Sequence, residues 1–280
     1  MDLWFTEKHQ LGFGVTYKVK RTLVDEETPF QKLAILDTQP FGKMLLLDGL
    51  VMTTVADEFV YHEMITHPAL CTHRTPKRVL VIGGGDGGTV REVLRHPTVE
   101  SVELCEIDRR VVEICREYLQ ETSCRLDDPR VSIVYADGIE YVKNASSKYD
   151  CIIVDSTDPI GPAVGLFGEE FYRSVYNALT DDGVLAAQTE SPIADPELVR
   201  RVTRNIGSVF PICGLYLAAI PTYPSGLWSF TIGSKRYHPV TDAREVPQLQ
   251  GCRYYHHGMH RAMFASLPKF VRQLLPNDFI

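Results

Sequence analysis

The sequence predicts a doubly wound, mostly parallel α/β sheet that ends in an antiparallel hairpin, preceded by a small β domain. Three observations support this fold class. Residues 1–56 are rich in period-two patterns. From residue 77 onward, continuous apolar runs typical of buried parallel strands alternate with helical patterns. Residues 222–226 join two later β-like runs and are too few for a right-handed crossover, so the last strand should run antiparallel to its neighbour.

The β-rich region comprises the alternating runs FGVTYKVKRTLV, QKLAILDT and GKMLLLDGLVMTT. The next segment, residues 57–73, has apolar residues at helical spacing. We place the domain boundary inside this helix. The prediction is therefore an N-terminal β domain at residues 1–60 and a Rossmann-like α/β domain at residues 61–280.

The α/β domain should contain five apolar strands before the hairpin, at residues 77–85, 99–108, 131–137, 149–155 and 184–190. Helical patterns connect them, with later helices expected near residues 169–179 and 195–209. The segment LPKFVRQLL near the end is amphipathic and predicts a further packing helix.

Composition excludes several classes of protein. With 44% hydrophobic and 23% charged residues, the 280-residue chain is typical of a globular protein. A net charge of −7 argues against nucleic acid or an anionic membrane as the main partner. The seven cysteines include no CxxC pair, so neither a disulfide framework nor a zinc ribbon is indicated. The first ten residues lack a signal-peptide pattern, and a cytoplasmic location is expected.

The first strand of the α/β domain runs into GGGDGG. This sequence places Gly83, Gly85 and Gly88 in a G-x-G-x-x-G pattern. The acids Glu106 and Asp108 follow about 20 residues later. Such a loop lets the backbone approach a nucleotide-type ligand, and a carboxylate at the end of the second strand binds ribose hydroxyls. Dinucleotides and adenosylmethionine-type ligands both fit this pattern.

Asp86 lies inside the glycine loop. A carboxylate there would repel a pyrophosphate or the carboxylate of adenosylmethionine, at a cost of several kcal/mol in a cleft. Asp86 would suit a ligand whose nearby group is an amine. The alternative is that Asp86 only caps the following helix.

Acidic residues also follow the other strands. Because the carboxyl ends of the strands border the functional crevice of an open α/β sheet, Asp86, Glu106, Asp137 and Asp155 should meet at one edge. Asp158 follows in a turn-rich loop. A carboxylate-rich edge with no adjoining cluster of lysine or arginine favours a polycation. Metal binding is the competing use, but the spacing of a loop of metal ligands is missing, and we expect no metal.

Four motifs connect these residues to a known family. They are DEFVYHEM (57–64), VLVIGGGDGGTVRE (79–92), DSTDPIGP (155–162) and IPTYPSG (220–226). In order and spacing, the chain resembles the polyamine aminopropyltransferases, the family of the spermidine synthases, over essentially its whole length. The resemblance implies a β domain followed by a methyltransferase-like Rossmann domain, usually in a homodimer or homotetramer.

The resemblance implies transfer of the 3-aminopropyl group of decarboxylated S-adenosylmethionine to putrescine, giving spermidine and 5′-methylthioadenosine. Decarboxylated S-adenosylmethionine is then a co-substrate, and no cofactor is needed. Asp155 would accept a proton from the attacking amine. The residues implied at the amines are Tyr61, His62, Asp86, Asp155, Asp158 and Tyr223. The residues implied at the nucleoside are Gln31, Gly83, Gly85, Glu106, Asp137, Gly138 and Pro162.

Other functions compete with this one. A methyltransferase of the same fold would retain the carboxylate that Asp86 disfavours. A non-catalytic polyamine- or nucleoside-binding protein would not need a base at Asp155, and a nicotinamide dehydrogenase would need a hydride-transfer pair that is not evident. Agmatine, cadaverine and spermidine remain alternative acceptors. His256, His257 and His260 should lie on an exposed turn and not in a metal site.

Overall fold

The computed structural model describes residues 2–9, 12–159 and 161–280. Within these ranges the chain forms two sheets. The N-terminal sheet is an antiparallel meander of β1 (Leu3–Lys8), β2 (Gly14–Glu27), β3 (Lys32–Thr38), β4 (Gly42–Leu47) and β5 (Leu50–Thr54). The second sheet contains β6 (Arg78–Gly83), β7 (Ser101–Glu106), β8 (Val131–Tyr135), β9 (Tyr149–Asp155), β10 (Leu179–Gln188), β11 (Ile212–Ala219) and β12 (Leu227–Ser234).

Helices cover and connect the strands of the second sheet. The helices in the described ranges are α1 (Glu58–Thr72), α2 (Gly88–Val93), α3 (Arg109–Tyr118), α4 (Gln120–Ser123), α5 (Gly138–Lys143), α6 (Glu169–Ala178), α7 (Pro196–Gly207), α8 (His257–Ala265) and α9 (Lys269–Arg272). Short 3₁₀ segments span Gly161–Phe167 and Pro247–Gly251. No helix in this part of the chain is both long and apolar enough to cross a membrane.

The second sheet has the strand order β11-β12-β10-β9-β6-β7-β8. Strands β6 to β10 are parallel, whereas β12 pairs antiparallel with both β10 and β11. The short connection between β11 and β12 is therefore followed by an antiparallel strand, as predicted. The strands that follow β6 are added on one side of it (β7 and β8) and then on its other side (β9 and β10). This reversal of strand order opens a crevice outside the carboxyl ends of β6 and β9.

The N-terminal sheet follows the period-two pattern expected of it. Leu33, Ile35 and Leu45 point to one face and pack against Val111 and its neighbours on α3. The alternate residues of the same strands form a separate apolar cluster on the other face. Packing on α3 places the loops of this sheet over the crevice of the second sheet.

The turn between β4 and β5 fixes the register of this hairpin. Asp48 and Gly49 both have positive φ, 50° and 78°, and Leu47 pairs directly with Leu50. An Asp-Gly pair is the preferred sequence for such a two-residue turn, because glycine adopts the left-handed conformation without strain.

Two expectations from the sequence need adjustment. Strand β10 begins at Leu179, earlier than predicted. The amphipathic segment near the end is helical only over Lys269–Arg272, after which the chain continues in turns. The predicted domain boundary at residues 60 and 61 falls inside α1 and stays a prediction.

Candidate active site

A cleft opens at the carboxyl ends of β6, β7, β8 and β9, partly covered by residues of the N-terminal sheet. It encloses about 1240 Å³ including its open mouth, enough for a nucleoside with an attached chain. The cleft is lined by every predicted site residue except Pro162. The side chain of Pro162 lies outside the part of the structure that is described.

Two glycines of the GGGDGG loop are required by close packing. Gly83 has φ +77°, and a Cβ atom there would collide with the backbone carbonyl of Asp155. A Cβ atom at Gly88 would overlap the imidazole ring of His62. These glycines therefore let the loop touch the end of β9 and the side of α1, which brings the side chains of both elements into one site.

The backbone of the loops holds the carboxylates at one end of the cleft. Glu106 accepts hydrogen bonds from the backbone N–H of Gly85 at 3.1 Å and of Asp108 at 2.9 Å. Burial raises the pKa of Glu106 to about 7. Asp137 accepts from the backbone N–H of Ile139 at 2.8 Å and caps α5. This end of the cleft is formed mainly by local contacts.

Asp108 links this end to the N-terminal sheet. Its Oδ1 accepts from the backbone N–H of Arg110 at 3.0 Å and so caps α3. Its Oδ2 accepts from the hydroxyl of Thr28 at 2.7 Å and from Nε2 of Gln31 at 3.1 Å. Gln31 is thus held over the cleft by a carboxylate of the other sheet.

Side chains from distant elements hold the carboxylate at the end of β9. Asp155 Oδ1 accepts from the hydroxyl of Tyr61 at 2.7 Å, and Oδ2 accepts from the hydroxyl of Thr89 at 2.7 Å. Burial and the nearby carboxylate of Asp86 raise the pKa of Asp155, while His62 opposes that rise. Asp155 is a buried acid close to a second acid and a cation, the setting in which proton acceptors are tuned.

Asp86 has two roles in the structure. Its Oδ1 accepts from the backbone N–H of Gly88 at 2.6 Å, so part of the helix-capping interpretation holds. Its Oδ2 lies 3.4 Å from Nε2 of His62, whose Nδ1 lies 2.6 Å from Oε2 of Glu58. Burial lowers the pKa of His62, but Asp86 and Glu58 outweigh burial and raise it well above its usual value.

A smaller cavity continues from the cleft past Tyr61, Asp158 and Tyr223. The hydroxyl of Tyr223 donates to the backbone carbonyl of Met52 at 2.6 Å, which joins the 222–226 segment to the N-terminal sheet. The Tyr223 ring packs edge-on against Tyr61, with ring centroids 5.8 Å apart. Tyrosine side chains therefore form the passage between the two spaces.

The smaller cavity has acidic walls. Glu7 of β1 lines it, and burial raises the pKa of this carboxyl to about 7. Glu190 lies beside it, bonded through Oε1 to the amide nitrogen of the cavity residue Gln188 at 3.3 Å. Burial and Asp158 raise the pKa of Glu190 well above its usual value. Glu7 Oε2 and the indole N–H of Trp228 lack hydrogen-bond partners among the described residues.

Comparison with known proteins identifies the family. The spermine/spermidine synthase domain matches residues 58–243, and the spermidine synthase tetramerisation domain matches residues 3–55. The chain belongs to the spermine/spermidine synthase family. The predicted family, the fold class and the aminopropyltransferase class of enzyme are confirmed. The match over residues 3–55 also supports the expected oligomer.

Relatives match this family member along nearly its whole length. The polyamine aminopropyltransferase of Desulforudis audaxviator (strain MP104C) is 54% identical over 97% of this chain and 98% of its own. A crystal structure of spermidine synthase with the transition state analogue AdoDATO superposes with a TM-score of 0.94 at 44% identity, and one from Thermotoga maritima with 0.92 at 44%. Each structural match covers 98% of this chain and 94% of the other.

Sequence reasoning missed three side chains in or beside this candidate site. Thr89 directly follows the glycine loop, where a hydroxyl could have been noticed. Glu190 lies two residues beyond the end of β10, so the strand-end rule that selected Asp155 would also have found it. Glu7 gives no such signal. It is a single inward-facing residue on an N-terminal strand, and only the packing of the two sheets brings it to the cavity.

The prediction for the C-terminal histidines is wrong for one of them. His260 is buried, with one ring nitrogen 2.7 Å from the hydroxyl of Tyr255 and the other 2.7 Å from the carbonyl oxygen of Pro239. The described residues contain one group with metal-ligand spacing, His67, Glu92 and Cys252. In that group Glu92 forms ion pairs with Arg91 and Arg95, both at 2.8 Å.

Proposed function

We propose that the chain transfers the 3-aminopropyl group of decarboxylated S-adenosylmethionine to putrescine, with spermidine and 5′-methylthioadenosine as products. One observation carries this proposal. Asp86 and Asp155 share a cleft that has a nucleoside-type end at Glu106 and continues into an acidic cavity at Glu7. A cationic donor and a cationic acceptor can therefore meet beside two carboxylates.

The nucleoside of the donor occupies the end formed by the glycine loop. Glu106 at the end of β7 accepts hydrogen bonds from the ribose hydroxyls. Asp137 and Gly138 contact the adenine, while Gln31 and Pro162 complete the nucleoside contacts. The backbone of Gly83 and Gly85 lies close enough to touch the ligand, because neither residue has a side chain.

Asp86 binds the ammonium group of the aminopropyl arm. This assignment separates decarboxylated S-adenosylmethionine from S-adenosylmethionine, whose carboxylate would approach the same side chain. Like charges in a partly buried cleft cost several kcal/mol. The charge of Asp86 therefore argues against the methyltransferase alternative.

Asp155 accepts a proton from the attacking amine. A primary amine is mostly protonated at neutral pH and cannot attack until that proton leaves. The freed nitrogen then bonds to the carbon beside the sulfonium, the carbon–sulfur bond breaks, and its electron pair goes to sulfur. Neutral sulfur leaves without help from a metal, and no covalent enzyme intermediate is needed.

The smaller cavity binds the far end of the acceptor. Asp158 and Glu7 line this cavity and offer carboxylates to a second ammonium group, with Glu190 beside them, while Tyr61 and Tyr223 enclose the methylene chain between the two nitrogens. Buried acids lacking a cation partner gain the most from such a ligand. A diamine therefore suits this cavity better than a monoamine.

The proposal is tested with purified protein, decarboxylated S-adenosylmethionine and equimolar putrescine, cadaverine, agmatine and spermidine, with mass spectrometry of the products. We expect spermidine and methylthioadenosine to dominate. A different adduct would reassign the acceptor. Folded protein that releases no methylthioadenosine with any amine would contradict aminopropyl transfer. Methylation of a substrate by S-adenosylmethionine would instead support the rival enzyme.

We also propose that the chain forms a homotetramer in the cytoplasm. The match to a tetramerisation domain and the exposed apolar side chains of Leu3, Trp4 and Phe13 support the assembly. Seven cysteines that are all unbridged fit a reducing compartment. Light scattering coupled to size exclusion distinguishes a tetramer from a dimer, and a stable dimer at micromolar concentration would overturn the tetramer.

A further inference from the structure

A chain of charged side chains leads away from the proposed amine end of the cleft, where Asp86 and Asp155 lie, through the buried His62 and Glu58 to the half-buried Arg91. The first link is His62, whose Nδ1 lies 2.6 Å from Oε2 of Glu58. Arg91 donates to both oxygens of Glu58, through Nη2 at 2.8 Å and Nη1 at 3.1 Å. Unlike His62, neither Glu58 nor Arg91 lines the cleft.

Arg91 is itself held firmly. Its Nε donates to Oε1 of Glu92 at 2.8 Å, and its Nη1 donates to the backbone carbonyl of Glu121 at 2.6 Å. One guanidinium therefore joins α1, α2 and α4. A planar guanidinium with several fixed donors suits this task better than a flexible ammonium group.

The His62 ring has little freedom. Both of its nitrogens face carboxylates, Nδ1 toward Glu58 and Nε2 toward Asp86, and one side of the ring packs on the bare backbone of Gly88. Two donor nitrogens are available only when the ring is protonated. The geometry therefore favours an imidazolium.

The charged surroundings of His62 come from four elements. Glu58 lies on its own helix, Asp86 on the glycine loop, Arg91 on α2 behind Glu58, and Asp155 at the end of β9. Without a cation nearby, burial and the carboxylate of Asp86 would make Asp155 harder to ionise. His62 opposes the rise in the pKa of Asp155.

We propose that Glu58 and Arg91 are positioning residues, which fix the His62 ring as a cation against Asp86 and so keep Asp86 and Asp155 ionised together when the amines bind. This inference rests on the proposed aminopropyl transfer, in which Asp86 must carry charge to hold one amine and Asp155 must be free to accept a proton from the other. Glu58 and Arg91 do not touch the reacting atoms.

The first test is the pH dependence of kcat in Arg91→Met and Glu58→Gln. Loss of the His62 cation makes Asp155 harder to ionise, so the acid limb of the profile should move upward by about one pH unit. On that limb kcat should fall about tenfold, and it should recover at higher pH. Arg91→Lys keeps a cation beside Glu58 and should restore part of the shift.

Arg244→Met is the matched control. Arg244 holds the other end of α1 by donating to the backbone carbonyls of Leu70 and His73. Its loss should weaken the fold and leave the acid limb in place. If Arg91→Met and Glu58→Gln also leave the limb in place, the inference is wrong.

A second measurement does not depend on catalysis. In protein labelled with ¹⁵N-histidine, the ring signals of His62 are assigned by their loss in His62→Gln. We expect both nitrogens to stay protonated in the unaltered protein at pH values where a free imidazole is neutral, and to deprotonate at lower pH in Glu58→Gln. A neutral His62 ring at pH 7 would overturn the inference. If the protein forms no methylthioadenosine, the proposed function fails, and this titration alone decides the state of His62.

Discussion

The two ends of the cleft are built in different ways. At the proposed nucleoside end, backbone N–H groups hold the carboxylates of Glu106 and Asp137, and each donor lies two residues away or in the glycine loop. At the amine end, side chains 66 and 94 residues away in sequence hold Asp155. Local geometry forms the first end, and tertiary packing forms the second. Substitutions at the amine end should therefore change the ionisation of the site more than those at the nucleoside end.

Loss of the proposed proton acceptor should have the largest effect. Asp155→Asn removes the base but keeps the size of the side chain and its place between two hydroxyl groups. We expect kcat to fall about a thousand-fold while methylthioadenosine binds as before. Methylthioadenosine release by chromatography and its affinity by calorimetry measure these two quantities. Activity within tenfold of the unaltered enzyme would show that another group accepts the proton.

Asp86→Asn and Glu106→Gln should separate the two ends directly. We expect Asp86→Asn to raise KM for decarboxylated S-adenosylmethionine about a hundred-fold, because a cation loses its buried partner. Its affinity for methylthioadenosine, which lacks the ammonium arm, should not change. Glu106→Gln should weaken both ligands. Equal losses for the two ligands in Asp86→Asn would place Asp86 at the nucleoside.

Glu7→Gln should weaken only the binding of the acceptor and raise KM for putrescine about tenfold. The pKa of Glu7 is raised to about 7, so below that pH the empty pocket holds a neutral acid and must lose a proton to bind an ammonium. KM for putrescine should therefore increase as the pH falls through 7, and Glu7→Gln should flatten that increase. Initial rates between pH 6 and 9 test this. A pH response that persists unchanged in the variant would exclude Glu7 as its source.

Thr89→Val should have the smallest effect of the series. The hydroxyl that donates to Asp155 Oδ2 is replaced by a methyl group of similar size. With one hydrogen bond fewer, ionised Asp155 is less stable, and we expect kcat at pH 7 to fall about fivefold. If the loss comes from ionisation, the rate of the variant should approach that of the unaltered enzyme when the pH is raised from 7 to 9. A loss that is equal at both values would point to misplacement of the side chain.

The contrast between the two ends also explains what the sequence could predict. Glu106 and Asp137 follow strand ends, and Asp108 carries a helix-cap signal, so their positions follow from local patterns. The antiparallel course of β12 follows from the shortness of one connection. These features depend on neighbours in sequence, which a single chain reveals.

Contacts between distant segments were beyond such reasoning. Tyr61 and His62 were selected only through the family resemblance, since a residue on a buried helix could equally belong to the core. Glu7 and Arg91 carry no local signal, because their surroundings come from other parts of the fold. His260 was expected on the surface for the same reason, and the residues that enclose it lie on neighbouring segments.

The N-terminal sheet provides Glu7, Gln31 and the carbonyl acceptor of Tyr223, and the same residues 3–55 match a tetramerisation domain. Strand β1 shows this double use within a few residues, since Trp4 is exposed and Glu7 is buried. If the proposed acceptor site and assembly are correct, exchange of this segment between relatives changes amine preference and quaternary structure together. An engineer who wants a new acceptor while keeping the assembly should begin with Glu7, the buried residue of β1.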